Sequence, residues 1–242
     1  MTLILPRDAN PPYFHPDYII TRKRSPQRSL IELPRKWFSS VEGPLFGESR
    51  VLASDADLTA HGAGAPQGQR IILSGRVLDS DGRGVPGALI EIWQANAAGR
   101  YTDRADPSFM PLDPNFTGAG RCITDNGGNY RFSTIRPAAY AGPKGTMFRP
   151  SHIHFSIFGR MLRERLITQC YFEGDPLLEH DPIYEAIPDE RARRRLIATF
   201  DPDITPLTSG GETSALSYRW DIVLRGDVAT PINAVASPLE HR

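Results

Sequence analysis

The chain has 242 residues, enough for one large domain with a buried core. Its 28 lysines and arginines balance 28 aspartates and glutamates, so the formal net charge is zero. A nucleic-acid-binding protein would show a basic excess, and an acidic interaction tail would show the opposite. The composition therefore excludes both classes and favours a small molecule as the partner.

The cysteine content and the first residues of the chain indicate the cellular location of the protein. Cys122 and Cys170 are too few for a disulfide framework and lack zinc-site spacing, so both are predicted to be small buried hydrophobes. The opening residues, MTLILPRDANPPYF, lack the charged start and apolar run of a signal peptide. No apolar stretch has the length of a membrane span. These features predict a cytoplasmic protein.

Residues 1–65 are rich in proline, glycine and charge. They contain one helix candidate, with Ser25 as N-cap and Pro26 at the first helical position. There is too little periodic apolar sequence here for a separate core. We therefore predict that residues 1–65 form an N-terminal arm that wraps the core or a neighbouring subunit, and that residues 66–242 form the folded domain.

From residue 70 onward, short runs of β-branched and apolar residues alternate with glycine and proline turns. Asp81-Gly82 supplies the positive φ of a hairpin turn, and Asn126-Gly127 repeats the device. Many short strands of this kind predict a mainly β fold, an antiparallel β-sandwich with few short helices. One late helix is predicted in DERARRRLIAT, with Asp189 as its N-cap. The predicted strands lie in QRIILSGRVLDSDGRGVPGALIEIWQAN, RCITDNGGNYRFSTI, SHIHFSIF, RLITQCYF and YRWDIVL.

The stretch RPSHIHF, residues 149–155, places two histidines on one strand. Because strand side chains alternate between faces, His152 and His154 point the same way and could bind one metal ion. An exposed polar face is the other reading of such a pair. Further ligand candidates are Tyr101, after WQANAAGR, and Tyr140, in a proline and glycine loop before the strand, although either could be an ordinary amphipathic tyrosine. Two phenolates with two imidazoles would suit a hard trivalent ion, which implies ferric iron.

Five motifs occur in this order along the chain: IEIWQANAAGRY, PLDPNFTGAGRCITD, RPSHIHF, LITQCYFEGDP and YRWDIVLRG. Together they resemble the intradiol ring-cleaving dioxygenases, and among them the β subunits of the heteromeric members. The resemblance runs from about Tyr13 to the C-terminus, and it implies that the catalytic domain is a prealbumin-like β-sandwich. It also implies an enzyme that opens the ring of a catechol, with protocatechuate as the expected substrate and 3-carboxy-cis,cis-muconate as the product.

The resemblance implies a non-haem Fe(III) cofactor and a role for each matching residue. Tyr101 and His152 resemble the equatorial iron ligands, while Tyr140 and His154 resemble the axial pair. The catechol would bind as a dianion, and the displaced Tyr140 would accept one of its protons, with hydroxide as the other base. Both atoms of dioxygen enter the product, and no organic cofactor is implied.

Other matching positions surround the substrate. Arg149 resembles an arginine that stabilises charge developing on the substrate, and Gln169 resembles a residue that pairs with this arginine. The positions that match the lining of the aromatic pocket are Tyr18, Trp93 and Ile183, and the last two would serve equally well as core residues.

The loop after Tyr140 departs from the family pattern. Ala141 and Gly142 stand where proline and tryptophan are usual, and the loop is one residue shorter. Losing a large indole should leave space near the iron or a looser loop, and a bulkier substrate such as 4-sulfocatechol could use that space. The chain also lacks an unambiguous arginine for the substrate carboxylate. We therefore expect a homologous α subunit to complete the enzyme as a hetero-oligomer.

Three alternatives remain at this stage. Prealbumin-type sandwiches also serve as non-catalytic binding modules, in which case the four candidate ligands would be scattered. A homodimeric catechol or hydroxyquinol dioxygenase would need a helical linker domain, which residues 1–65 do not supply with one helix candidate. A non-catalytic α-type chain would lack the full set of four ligands. Convergence of Tyr101, Tyr140, His152 and His154 on one point is the discriminating observation.

Overall fold

The computed structural model describes residues 51–104, 106–142, 147–159, 165–205 and 215–232. The helix predicted at Ser25 and the predicted pocket residue Tyr18 lie outside these ranges. The described chain is mainly β, as predicted. Eleven strands are formed, namely β1 (Arg70–Leu78), β2 (Leu89–Gln94), β3 (Ala119–Ile123), β4 (Asn129–Ile135), β5 (Tyr140–Ala141), β6 (Phe148–Arg149), β7 (His152–Phe158), β8 (Arg165–Phe172), β9 (Ile197–Phe200), β10 (Leu216–Arg219) and β11 (Ile222–Val223).

The helices are short. Helix α1 (Pro182–Glu185) and helix α2 (Glu190–Arg194) follow β8, and single 3-10 turns lie at Ala53–Ala56 and Leu178–His180. The Asp189 side chain accepts a hydrogen bond from the Arg191 amide at 2.8 Å, which confirms the predicted N-cap. No helix among the described residues is long and apolar enough to cross a membrane.

Nine strands form one connected sheet in the order β11-β1-β10-β9-β8-β7-β2-β3, with β4 also paired to β1. Strands β5 and β6 form a separate two-stranded ribbon. The predicted antiparallel pairing holds for most neighbouring strands but not for all, because β1 runs parallel to β10 and β11, and β8 runs parallel to β9. The segment between β8 and β9 carries both α-helices, and a connection of that length can return the chain in the same direction.

The two predicted hairpins are also replaced by another pairing. Strand β1 pairs with β4, while β2 pairs with β3 and β7, so both turns carry the chain from one half of the sheet to the other. The positive φ lies at Gly82 (+76°) in the first turn, as predicted, and at Gly128 (+78°) in the second, one residue after the predicted Gly127. As a result, β2 and β3 are joined by a long loop, residues 95–118, which carries Tyr101.

The sheet curls so that its two halves face each other across the core. Phe155 of β7 lies 6.1 Å from the Tyr130 ring and 6.3 Å from the Phe132 ring of β4, measured between ring centroids. Trp220, next to β10, packs on the same Phe155 at 4.9 Å. Leu58 is fully buried in this core, which therefore includes a residue from before residue 65.

Both cysteines are free and neither faces a disulfide partner. Cys170 is fully buried and Cys122 is partly buried, so the prediction of small buried hydrophobes holds most clearly for Cys170. Burial raises the pKa of the Cys122 thiol to about 12.

Candidate metal centre

Strand β7 supplies two imidazoles because of its period-2 alternation. His152 and His154 lie on one face, as predicted, and neighbouring strands add further side chains to that face. Trp93 of β2 and Gln169 of β8 stand opposite His154 in the register, and Tyr171 of β8 stands opposite His152. The sheet register thus assembles a platform of two adjacent rows of side chains.

The two tyrosines reach this platform from loops. Tyr140 belongs to the β5–β6 ribbon, where it pairs directly with Arg149, and Pro150 and Ser151 lead from there into β7. The Ser151 hydroxyl donates a hydrogen bond to the Pro137 carbonyl at 2.7 Å and so holds both ends of the ribbon together.

Tyr101 lies in the long loop between β2 and β3. The Asn96 side-chain oxygen accepts hydrogen bonds from the Ala98 and Arg100 amides, which forms a tight turn with Gly99 at φ +79°. The Asp106 carboxylate accepts a hydrogen bond from the Tyr101 amide at 2.8 Å. A Cβ on Gly99 would lie 2.9 Å from the Ala139 oxygen, so glycine is what allows the two tyrosine-bearing segments to pack together.

The four predicted ligands converge on one point. The Tyr101 hydroxyl oxygen lies 3.4 Å from the Tyr140 hydroxyl oxygen, 3.4 Å from His152 Nε2 and 3.2 Å from His154 Nε2. The Tyr140 hydroxyl oxygen lies 3.4 Å from His152 Nε2. Metal bonds of about 2.1 Å, as in zinc sites, separate adjacent donor atoms by roughly 3 to 3.4 Å. These spacings fit four ligands of a single ion.

The protonation of His152 also suits a ligand. Burial, reinforced by the charge of Arg149, holds the pKa of His152 well below its usual range, so the imidazole is neutral. Its Nδ1 lies 2.7 Å from the Pro150 carbonyl oxygen, which can only accept, so Nδ1 carries the proton. Nε2, which faces the two tyrosines, therefore keeps its lone pair.

The donor set itself is unusual for a metal site. Within the described parts of the chain, no three or more His, Cys, Asp and Glu side chains cluster so as to hold a metal ion. The candidate centre instead combines two imidazoles with two phenols, and phenolate is a hard anionic donor that suits a trivalent ion. Tyr101, Tyr140 and His154 are each partly exposed, so a small molecule can reach the centre.

A buried polar cluster lies beside the ligands. Arg149 Nε donates hydrogen bonds to both carboxylate oxygens of Asp181 at 3.1 Å. Arg149 Nη2 donates to Gln169 Oε1, which is the contact predicted for Gln169, and also to the Tyr171 hydroxyl at 3.3 Å. Burial raises the pKa of Tyr171 well above its usual range, so this hydroxyl keeps its proton and donates to Asp181 Oδ2 at 2.9 Å.

The sequence reasoning missed Tyr171 and Asp181. Tyr171 lies two residues after Gln169 on one strand, so period-2 alternation could have placed it on the same face. Asp181 precedes Pro182, a typical N-cap position, but nothing in the sequence connects that cap to Arg149.

The predicted pocket residues have different surroundings. The Trp93 ring stacks on the His154 ring with centroids 5.0 Å apart and an interplanar angle of 3°. Ile183 is buried in α1, directly after the Asp181 cap.

The loop that departs from the family pattern is partly described. The Gly142 amide donates to the Met147 carbonyl at 2.8 Å and extends the β5–β6 ribbon by one step. A Cβ on Gly142 would lie 2.6 Å from Met147 Cγ. Met147 therefore occupies part of the space expected beside Gly142, while residues 143–146 lie outside the described chain.

Comparison with known proteins defines the class to which this fold and centre belong. Residues 41–226 match the family model described as Dioxygenase. The chain belongs to the intradiol ring-cleaving dioxygenases, a family that depends on non-haem iron.

Particular relatives sharpen this assignment. The chain is 49% identical to the protocatechuate 3,4-dioxygenase beta chain of Burkholderia cepacia, over 96% of this chain and 97% of the relative. It is 34% identical to the chlorocatechol 1,2-dioxygenase of Rhodococcus opacus, over 60% of each chain. Among solved structures, catechol 1,2-dioxygenase from Pseudomonas arvilla matches with a TM-score of 0.53 and 26% identity, over 84% of this chain and 65% of that chain.

Proposed function

We propose that this chain is the iron-bearing, β-type chain of a protocatechuate 3,4-dioxygenase. It would insert both atoms of dioxygen into protocatechuate and release 3-carboxy-cis,cis-muconate. The observation that carries the proposal is the convergence of two phenol oxygens and two imidazole nitrogens, with neighbouring atoms 3.2 to 3.4 Å apart. A non-catalytic module has no need for this convergence.

The cofactor in this proposal is Fe(III), bound by Tyr101, Tyr140, His152 and His154. The fit rests on two features of these residues. His152 presents a neutral nitrogen to the centre, and the two phenols become hard anionic donors on losing their protons. When bound, ferric iron supplies Lewis-acid activation of the catechol oxygens.

The remaining chemistry falls to side chains of this chain. The Tyr140 oxygen would be the base that takes a proton from a catechol hydroxyl. The Arg149 guanidinium keeps its charge at every working pH and stabilises negative charge that develops on the ring. Gln169 orients that guanidinium by accepting a hydrogen bond from Nη2. Trp93 and Ile183 would pack against the aromatic ring, together with Tyr18.

The assembly and finer fold are part of the same proposal. The Burkholderia relative is named a beta chain, and this chain lacks a clear arginine anchor for a substrate carboxylate. Both features support a hetero-oligomer with a homologous α subunit. Within it, residues 66–242 would form a prealbumin-like β-sandwich catalytic domain and residues 1–65 an N-terminal arm. The cytoplasmic location stays a prediction.

A second substrate remains a candidate because of the segment after Tyr140. Ala141 is exposed, and at Gly142 the space is shared with a flexible methionine, Met147, instead of a rigid aromatic ring. Met147 can move aside for a larger para substituent. The same chemistry on 4-sulfocatechol is therefore the alternative to protocatechuate.

The first experiment is a visible absorption spectrum of the chain co-expressed with its expected α-type partner, before and after protocatechuate is added without oxygen. A tyrosinate-to-iron charge-transfer band that shifts on addition supports the proposal. A colourless protein that contains iron contradicts the tyrosinate ligands. Oxygen uptake with protocatechuate, catechol and 4-sulfocatechol then ranks the substrates, and mass spectrometry identifies the ring-opened product.

A further inference from the structure

The ion pair between Arg149 and Asp181 is buried to an unusual degree. The two side chains expose 1% and 0% of their surface, whereas a surface pair such as Arg83–Asp81 exposes 74% and 60%. A buried ion pair is a weak source of stability, because desolvation of both charges offsets their attraction. Stability therefore does not account for this pair, and its position beside the candidate metal centre suggests another purpose.

Asp181 binds the Arg149 guanidinium at Nε. Both carboxylate oxygens accept from Nε, while Gln169 and the Tyr171 hydroxyl accept from Nη2. A planar guanidinium that is bound at two of its nitrogens has little freedom to rotate about its terminal bonds. The Arg149 backbone is paired with Tyr140 at the same time, so the residue is anchored at both ends.

The Asp181 carboxylate is itself rigidly placed. Its backbone amide donates to the Leu178 carbonyl at 3.1 Å, and its backbone carbonyl accepts from the Glu185 amide at 2.9 Å. Oδ1 also accepts from the Ile183 amide at 2.9 Å and so caps α1. One carboxylate therefore fixes both the guanidinium and the start of the helix that carries the proposed pocket residue Ile183.

We propose that Asp181 is a positioning residue for ring cleavage, which holds Arg149 and Ile183 in one arrangement beside the proposed ligands. This inference rests on the proposed function. It predicts that Asp181 acts on turnover through Arg149 and leaves metal binding unchanged, because it contacts none of the four proposed ligands in the hydrogen bonds described.

The test uses the iron-loaded holoenzyme and the variants Asp181→Asn, Arg149→Gln and their combination. Asparagine keeps the size and the helix cap but removes the charge. In D181N we expect normal iron content and a normal resting spectrum, with kcat lowered about 10- to 100-fold, the range typical of outer-shell partners, and KM changed much less. In the R149Q background, D181N should lower kcat by less than about twofold.

A matched control separates positioning from capping. Asp189 caps α2 through the same contact, an amide two residues on, and lies outside the Arg149 cluster. D189N should leave kcat and KM unchanged. Because D181N strands a buried charge and can impair folding, Asp181→Glu is the second variant. It keeps the charge but displaces the carboxylate, so a positioning role predicts a loss of about tenfold or more in kcat, within the same outer-shell range.

A readout without turnover comes from urea unfolding of the iron-free chain. D181N should lower the unfolding midpoint in the Arg149 background, where it leaves the buried guanidinium without its partner. It should not lower the midpoint in the R149Q background, where the carboxylate that it neutralises has already lost its partner. Equal shifts in both backgrounds would overturn the coupling. Wild-type kcat retained by both D181N and D181E would overturn the positioning role. Inactivity of the wild-type enzyme on all three catechols would instead reject the proposed function, and the unfolding cycle would still decide whether the pair is coupled.

Discussion

The two sides of the candidate centre are built in different ways. His152 and His154 lie on a central strand, β7, whose register is set by continuous pairing with β2 and β8. Tyr101 and Tyr140 come from a long loop and a two-residue strand, where turn hydrogen bonds and one close glycine contact determine position. The imidazoles thus have a rigid support, and the phenols have a support that a small change can displace.

The largest effect is expected on the strand side. His152→Ala removes a ligand that the sheet holds in place, and no other part of β7 can move to replace it. Iron content and turnover should both be lost. The fall in kcat should far exceed the roughly 100-fold loss that is the upper range for mutating a residue that hydrogen-bonds to a metal ligand. Metal analysis and oxygen uptake measure this. His180→Ala, at an exposed position in a 3-10 turn, is the control and should retain both.

The next effect tests the loop side. Tyr140→Phe leaves three donors, so we expect iron to bind, the visible band to change, and kcat to fall about 10²- to 10⁴-fold through loss of the base. The control is Tyr130→Phe, which removes a buried hydroxyl that donates to the Trp220 carbonyl at 2.6 Å. It should cost stability by about 1 kcal/mol and leave the band unchanged. Turnover near the wild-type rate in Y140F would contradict the role of Tyr140 as base.

A smaller effect isolates the close contact between the two tyrosine segments. Gly99→Ala places a Cβ 2.9 Å from the Ala139 oxygen and 3.0 Å from Tyr140 Cβ, in a backbone conformation with φ +79°. Gly82→Ala has a similar φ, +76°, with nothing within 4 Å of the added carbon. Both should lose about 1–2 kcal/mol of stability from backbone strain.

The difference in iron affinity between Gly99→Ala and Gly82→Ala is the informative quantity. G99A should in addition weaken iron binding, measured by competition with a chelator, because Tyr101 is displaced. Equal iron affinity in G99A and G82A would show that the loop side is less sensitive than its contacts suggest.

The smallest effect concerns the stacked pair on the platform. Trp93→Phe keeps an aromatic ring but reduces its overlap with the His154 imidazole, now stacked at 5.0 Å. Trp93 is also proposed to pack against the aromatic ring of the substrate. Because aromatic pairs contribute about 0.5–1.5 kcal/mol beyond area burial, we expect a several-fold rise in the dissociation constant of protocatechuate, measured without oxygen. Spectral titration measures it. An unchanged constant would place Trp93 among the core residues.

The amino-acid sequence by itself determined the features that depend on short-range patterns. Period-2 alternation is enough to place His152 and His154 on one face, and Asp189 is recognisable as a helix cap because capping involves neighbouring residues. The mainly β content follows from the same local signals. The individual roles of the four candidate ligands and the contact of Gln169 with Arg149 were assigned through family motifs, which reflect tertiary contacts that periodicity does not show.

Tertiary structure alone decided which segments meet. Turn signals around Gly82 and Gly128 are real, yet the strands on either side of each turn lie in different halves of the sheet. Pairing depends on which partner completes the burial of each face, and this is a property of the whole core. The same holds for Asp181: its cap is a local feature, but its pairing with Arg149 exists because β8, the β5–β6 ribbon and α1 pack together around one buried ion pair.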